Sequence, residues 1–473
     1  MPEYDQLYIG GRWCAPRGRD RIAVHSPTTG EFVGSVARAG TADVDDAVAA
    51  ARRAFDEGEW PRLTVAERVE ALTRMRNHLA WRADELNELS TRENGVSIAV
   101  RPCKAALDLF DFTLEAAGIY TFTEERSGIQ GRAGEVVREP SGVVGAIVAS
   151  NGPLLQAVGK IAPALVAGCT VVLKSPVETP LILMALAEAA DAAGLPEGVF
   201  SVLSGDVVEG EHLVTHPGVD KISFTGSAGA GRLIAEAAGR QLKRTTLELG
   251  GKSAAVVLPD ADLDHAARTV AMGCMAYSGQ RCAALSRALV PAGLIDDFVE
   301  RVAAAVSAFT VGDPLDESTF IGPLVSRRGL ERVERYVDAA LAEGARAVVG
   351  GARMADRPDG WYFQPTVLVG VTNDMQIARE EVFGPVLCVI PYDTVDEAVA
   401  MANDNDYGLT SSVFSGNREA AAQVARRIRA GSIGLNAIAG EIGLPFGGFK
   451  ASGYGREYSI EAFDSFTEVK AIA

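Results

Sequence analysis

Residues 141–173 read SGVVGAIVASNGPLLQAVGKIAPALVAGCTVVL, a run in which Lys160 is the only charged side chain. Its length would cover a bilayer, but Asn151, Gly152, Pro153 and Pro163 break it as turns punctuate strand and helix. The run therefore reads as strand Val143–Val148, helix Leu154–Val166 and strand Thr170–Leu173, all buried. Helix Pro180–Ala193, strand Gly198–Leu203, strand Lys221–Phe224 and helix Ala230–Arg240 continue the pattern. Such alternation predicts a parallel sheet covered by helices, with ligands bound beyond the carboxyl ends of the strands. Asn151, Lys174, Gly226 and Glu248 all follow predicted strands.

Outward from this run, Val44–Phe55 and Val65–Thr91 have amphipathic helical spacing, with a turn at Trp60-Pro61, and predict an N-terminal helical layer. Ser127–Glu139, rich in Gly, Arg and Glu, predicts a protruding hairpin. A second βαβ-like series is expected after Cys282, with helices near Asp296–Phe309, Arg328–Leu341, Val395–Asn403 and Arg418–Arg429. A chain of 473 residues, 48% hydrophobic and 23% charged, is too long for one ordinary core and predicts two or three lobes.

The balance of 62 acidic against 45 basic residues gives a net charge of −17 and argues against a nucleic-acid partner. The breaks in 141–173 argue against a membrane span. The six cysteines form no CxxC pair and no compact framework, which predicts a reducing compartment and no zinc. Met1–Gly10 carries Glu3 and Asp5 and lacks a basic start with an apolar stretch, so a cytoplasmic location is expected.

Chemistry concentrates in glycine-marked turns. Cys282 ends Ser278-Gly279-Gln280-Arg281-Cys282, and Glu248 lies in Leu247-Glu248-Leu249-Gly250-Gly251-Lys252. A thiol attacks carbonyl carbon, and a nearby carboxylate can activate the water that hydrolyses the resulting thioester. Asn151, in Ala149-Ser150-Asn151-Gly152-Pro153, can aim an amide at a developing oxyanion. Phe224-Thr225-Gly226-Ser227 with Gly231 leads from strand to helix, where backbone amides can meet a pyrophosphate, and Lys174 can hold ribose or phosphate oxygens. In Glu380-Glu381-Val382-Phe383-Gly384-Pro385 a carboxylate can accept from ribose hydroxyls and a ring can lie against a nicotinamide. Each motif alone has a plain structural reading: a buried cysteine, a solvated lysine, glycine as punctuation.

In one order along the chain, Asn151, Lys174, Gly226, Glu248, Cys282, Glu381, Phe383, Asn436 and Pro445-Phe446-Gly447-Gly448 resemble the NAD(P)-dependent aldehyde dehydrogenase superfamily. The resemblance runs from Tyr8-Ile9-Gly10-Gly11 through Gly194-Leu195-Pro196-Glu197-Gly198 to Gly453-Tyr454-Gly455-Arg456-Glu457. It implies Cys282 as nucleophile, Asn151 as oxyanion donor and Glu248 as hydrolytic base. It also implies a cofactor held by Lys174, Gly226, Ser227, Gly231, Glu381 and Phe383. The implied fold is α/β: a Rossmann-like nucleotide-binding lobe (1–117 and 140–249), a catalytic α/β lobe (250–450), and a small β oligomerisation element (118–139 and 451–473). A homodimer or homotetramer is expected.

Several positions depart from the family pattern. Ser150 and Gly152 replace residues that are usually aromatic, so a wider or differently walled tunnel is expected. Val177 stands where many NAD-preferring members carry glutamate, with Glu178 one position later. NAD is favoured because no basic residue follows Lys174 closely, and NADP stays open. Arg281 can attract an acidic substrate or lower the thiol pKa, while Ala437, Ile438 and the small apolar residues up to Leu444, with Phe446, predict a hydrophobic lining. The expected substrate is an uncharged aliphatic, terpenoid or aromatic aldehyde. The alternatives are a CoA-acylating dehydrogenase, which commonly lacks the base that Glu248 supplies, and a non-catalytic dinucleotide-binding protein.

Overall fold

Five buried strands, Val143–Ile147, Thr170–Ser175, Phe200–Ser204, Lys221–Thr225 and Arg244–Glu248, pair in parallel at the centre of an eight-stranded sheet. They are described in a computed structural model covering residues 2–473. Val143–Ile147 lies between Thr170–Ser175 on one side and Lys221–Thr225 on the other, so the connections diverge there and open a crevice at the strands' carboxyl ends. Continuous apolar sequence produces this sheet because helices cover both faces and leave no wet side for alternation.

The helix Pro153–Ala167 shows how 141–173 folds. Proline occupies its first turn, where no intrahelical N–H is needed, and Gly168 ends it at φ +101°. Apart from Leu155 the helix is wholly buried, Lys160 included.

A seven-stranded sheet forms the second layer, in the order Arg346–Val349, Thr366–Val369, Val386–Tyr392, Arg287–Pro291, Ala254–Val257, Thr410–Phe414, Ser432–Leu435. Only the edge pair of Arg346–Val349 with Thr366–Val369 is antiparallel. The expected hairpin consists of Thr123–Ser127 and Ala133–Pro140, and Thr467–Ile472 completes a three-stranded sheet with it. No helix among the described residues is long and apolar enough to cross a membrane.

Four sequence expectations are corrected. Val65–Thr91 is two helices, Val65–Trp81 and Ala83–Asn94, broken where Arg82 turns to pair with Glu85 and with Glu188 on a neighbouring helix. The second α/β series begins before Cys282, because Ala254–Val257 is a central strand of its sheet. The N-terminal region is not only helical. Leu7–Ile9 and Arg12–Cys14 extend the first sheet, while Glu3–Tyr4, Phe32–Ala37 and Arg21–His25 form a small sheet of their own. Gly453–Tyr454, grouped with the oligomerisation element, instead pairs antiparallel with Arg244–Glu248, placing Gly453 opposite Glu248.

That last pairing needs glycine. Gly453 sits at φ +102°, and a Cβ there would lie 1.9 Å from the Leu247 carbonyl oxygen. Gly453→Ala should lower the unfolding free energy by about 2 to 4 kcal/mol, read as a drop in urea midpoint. An unchanged midpoint would contradict this account of the C-terminal strand.

Candidate active site

Glu248 ends its strand with the side chain almost wholly buried, and neither carboxylate oxygen has a hydrogen-bond partner. Gly447 makes room for it: a Cβ there would lie 2.8 Å from Glu248 Oε1. Burial first, then the nearby charge of Glu457, pushes the Glu248 carboxyl well above its usual range, while Lys160 and Arg456 pull the other way. Glu457 is itself neutralised by Lys160, with Nζ to Oε1 at 2.7 Å and both side chains buried. Lys160 was visible in the sequence as the one charge in an apolar helix, and this buried partner is what that signal meant.

Cys282 is delivered by a strained turn. The helix Leu263–Met275 ends, and Tyr277, Ser278 and Gly279 then take φ values of +57°, +56° and +71°. Left-handed backbone costs a non-glycine residue roughly 1–2 kcal/mol, so the surroundings must hold the turn in place. Ser278 Oγ donates to the Gly322 carbonyl at 2.8 Å, and Gln280 Oε1 accepts from the Val325 N–H at 3.0 Å. Burial, and then the carboxylates of Glu381 and Glu248, push the Cys282 thiol up to about 12, against an opposing pull from Arg281. Both causes favour the thiol over the thiolate.

Asn151 follows the strand Val143–Ile147, and its Nδ2 donates to the Gln280 carbonyl at 2.7 Å, two residues before Cys282. Asn151, Glu248 and Cys282 all line one cavity of about 310 Å³. Its walls are mostly apolar: Leu154, Leu155, Ala439, Ile442, Phe446 and Tyr458, with the rings of Phe446 and Tyr458 stacked at 5.2 Å. Gly152 and Arg281 also line it, the Arg281 guanidinium lying 5.8 Å from the Tyr277 ring centroid. Ser150, Ala437 and Ile438 do not. Ile438 turns into the core beside Gly273, Ala437 is exposed with its carbonyl accepting from Ser412 Oγ at 2.8 Å, and the Ser150 carbonyl accepts from Thr179 Oγ1. Tyr458, Leu154, Leu155 and Gln156 were not singled out from the sequence, since nothing in apolar spacing tells a tunnel wall from a core.

A second pocket, of about 600 Å³, opens at the carboxyl ends of the first sheet, lined by Ile147, Lys174, Asp206, Val207, Phe224 and Leu233 among others. Lys174 is buried beside the charges of Asp206, Glu178, Glu209 and Arg38, and burial holds its pKa below the usual lysine value. Ser227 caps the helix Ala228–Gly239, its Oγ accepting from the Ala230 N–H at 3.2 Å. Gly226 and Gly231 use their own N–H groups internally, donating to the Glu248 and Ser227 carbonyls. Their small size serves packing, because a Cβ would strike the Phe224 ring at Gly226 and Leu249 at Gly231. A helix N-terminus beside an apolar pocket and a buried lysine fits a dinucleotide. Glu381 folds onto the glycine turn, accepting from the Gly251 N–H at 3.2 Å, and burial raises its carboxyl to about 7. Phe383, at φ +59°, lines neither pocket. No cluster of metal-ligating side chains occurs among the described residues.

The profile described as the aldehyde dehydrogenase family matches residues 13–472. The chain is 43% identical to geranial dehydrogenase from Castellaniella defragrans over 474 residues, covering 99% of this chain and 98% of that protein. It is 41% identical to 3-succinoylsemialdehyde-pyridine dehydrogenase from a Pseudomonas species, covering 100% and 99%. A crystal structure of a Mycobacterium tuberculosis aldehyde dehydrogenase complexed with NAD+ superposes with a TM-score of 0.97 at 45% identity, covering 100% of this chain and 98% of that one. A Pseudomonas syringae aldehyde dehydrogenase C variant complexed with NAD+ and octanal gives 0.95 at 40%, covering 99% and 96%.

The raised thiol pKa has a direct consequence in the cofactor-free protein. Alkylation of Cys282 by iodoacetamide, located by peptide mapping, should rise roughly tenfold per pH unit up to about pH 9 without levelling. A plateau below about pH 8 would mean that the thiolate forms far more easily than its surroundings allow.

Proposed function

The chain belongs to the aldehyde dehydrogenase family, and we propose that Cys282, Asn151 and Glu248 act in turn as its nucleophile, oxyanion donor and hydrolytic base. The enzyme oxidises aldehydes to carboxylic acids with NAD, without acyl transfer to CoA. The observation that carries the assignment of roles is the convergence of these three side chains on one small cavity, with the carboxylate buried and partnerless.

The Cys282 thiol gives its proton to water, the thiolate sulfur adds to the aldehyde carbon, and the carbonyl π electron pair moves onto oxygen. One Asn151 Nδ2 proton, together with the Cys282 backbone N–H, receives that charge, a contribution of about 2.7 to 4 kcal/mol per donor. NAD, when bound, supplies the hydride acceptor. Lys174 would hold its adenosine ribose, the Gly226–Ser227 turn its pyrophosphate and Glu381 its nicotinamide ribose, with Phe383 beside the ring. The acyl group is left as a thioester on Cys282. Glu248 then takes a proton from water as the oxygen attacks the thioester carbon, the C–S bond breaks with its electron pair on sulfur, and the acid leaves. Desolvation suits Glu248 to this step, since a carboxylate whose pKa is raised holds the proton taken from water more strongly than an exposed one.

Preference for NAD over NADP is supported by the acidic surroundings of Lys174, where Asp206, Glu178 and Glu209 outnumber Arg38 and would repel a further phosphate. The apolar tunnel wall supports uncharged aliphatic, terpenoid or aromatic aldehydes as substrates, in keeping with relatives named for geranial and complexed with octanal. The three-stranded sheet, with Val469 and Ile472 exposed, supports assembly with further copies of the chain into a homodimer or homotetramer.

Purified enzyme should reduce NAD with octanal, and Cys282→Ala should lower that rate by roughly a thousandfold or more. Glu248→Ala should keep a stoichiometric burst of reduced cofactor but turn over slowly. Loss of the burst itself would move Glu248 to a step before hydride transfer. Succinic semialdehyde outperforming every hydrophobic aldehyde in kcat/KM would overturn the substrate class.

A further inference from the structure

Gln156 is a polar side chain in the first turns of the otherwise apolar helix Pro153–Ala167, and it is buried. Burying an amide without partners costs free energy, so its hydrogen bonds explain why it can stand there. Its Oε1 accepts from the Ala149 backbone N–H at 2.8 Å, and its Nε2 donates to Asn151 Oδ1 at 2.8 Å. Asn151 Nδ2 in turn donates to the Gln280 carbonyl at 2.7 Å.

This chain of bonds has a direction. A backbone N–H can only donate and a backbone carbonyl can only accept, so Ala149 fixes which end of the Gln156 amide is oxygen, and Gln280 fixes which end of the Asn151 amide is nitrogen. The two constraints agree, and turning either amide over would set like atoms against each other at both of its contacts. Asn151 Nδ2 keeps one further proton, and Asn151 lines the cavity that Cys282 also lines.

We propose that Gln156 is a positioning residue for the oxyanion hole, holding the Asn151 amide so that its free N–H faces the adduct at Cys282. The proposal rests on the role assigned to Asn151 above. Without the Gln156 donor, Asn151 Oδ1 loses its buried partner and the amide is held by the Gln280 carbonyl alone, so the donor is less firmly ordered before the reaction. Gln156 touches neither sulfur nor substrate oxygen in this scheme and acts only through Asn151.

The test is a double-mutant cycle on the full-length enzyme with NAD and octanal, read as the single-turnover rate of cofactor reduction. Gln156→Leu should slow that rate by about 10- to 100-fold while leaving the KM for octanal and the Kd for NAD within about twofold. Gln156→Met keeps the length of the side chain but has no donor for Asn151, and should slow the rate by a similar factor. In an Asn151→Ala background, Gln156→Leu should cost less than about threefold, because the group it positions is gone. Equal slowing in both backgrounds would make Gln156 merely structural and overturn the proposal, as would wild-type rates in Gln156→Met. A wild-type rate in Asn151→Ala itself would instead remove the oxyanion role, and the positioning role with it.

Discussion

Glu248 is a carboxylate held in the interior with no hydrogen-bond partner, and much of the surrounding architecture answers to that one desolvated group. A buried anion of this kind takes a proton unless something nearby stabilises its charge. The neighbouring Lys160–Glu457 pair places one cation and one further anion beside it, so the local balance leaves Glu248 without an ion-pair partner of its own. Around it, bulk is removed from the backbone at Gly447 and Gly453, the first to leave space for an oxygen and the second to let the C-terminal strand lie against the strand that Glu248 ends. The result is a carboxyl group kept out of water, with its affinity for a proton raised.

The thiol is governed by the same desolvation. Cys282 meets the carboxylate where the loops of the two large sheets come together, and close approach again depends on missing side chains. A Cβ at Gly251 would lie 2.3 Å from the Cys282 carbonyl oxygen, and one at Gly279 would lie 2.0 Å from that of Gly384. Backbone strain at Tyr277 and Ser278 lies in the turn that leads to Cys282, and hydrogen bonds with Gly322 and Val325 hold it. Rigid sheets and tight glycine turns together bring three ordinary side chains to one cavity.

The central sheet was legible in the sequence because strands buried on both faces, such as Val143–Ile147 and Thr170–Ser175, are uninterrupted apolar runs bounded by Pro and Gly. Short edge strands such as Arg12–Cys14 and Gly453–Tyr454 were not, since two or three residues give no period and their pairing is fixed by distant chain. The break at Arg82 also left no mark, because the residue is a good helix former and only its ion pairs turn it aside. Cys282, Glu248 and Asn151 stood out through their motifs and do share one cavity, whereas Ser150, Ala437 and Ile438, within two positions of residues that line it, do not line it themselves. Gln156 illustrates the limit most clearly. Its significance lies in the direction of two hydrogen bonds, which depends on backbone groups at both ends and on no spacing that a sequence displays.

The central claim is that the acyl group passes through a thioester on Cys282 whose hydrolysis waits on Glu248. Intact-protein mass spectrometry of Glu248→Gln after mixing with octanal and NAD, followed by peptide mapping, tests it most directly. The account predicts an added octanoyl group on the peptide containing Cys282 that disappears on treatment with hydroxylamine. Normal cofactor reduction with no adduct, or an adduct on any other residue, would contradict it.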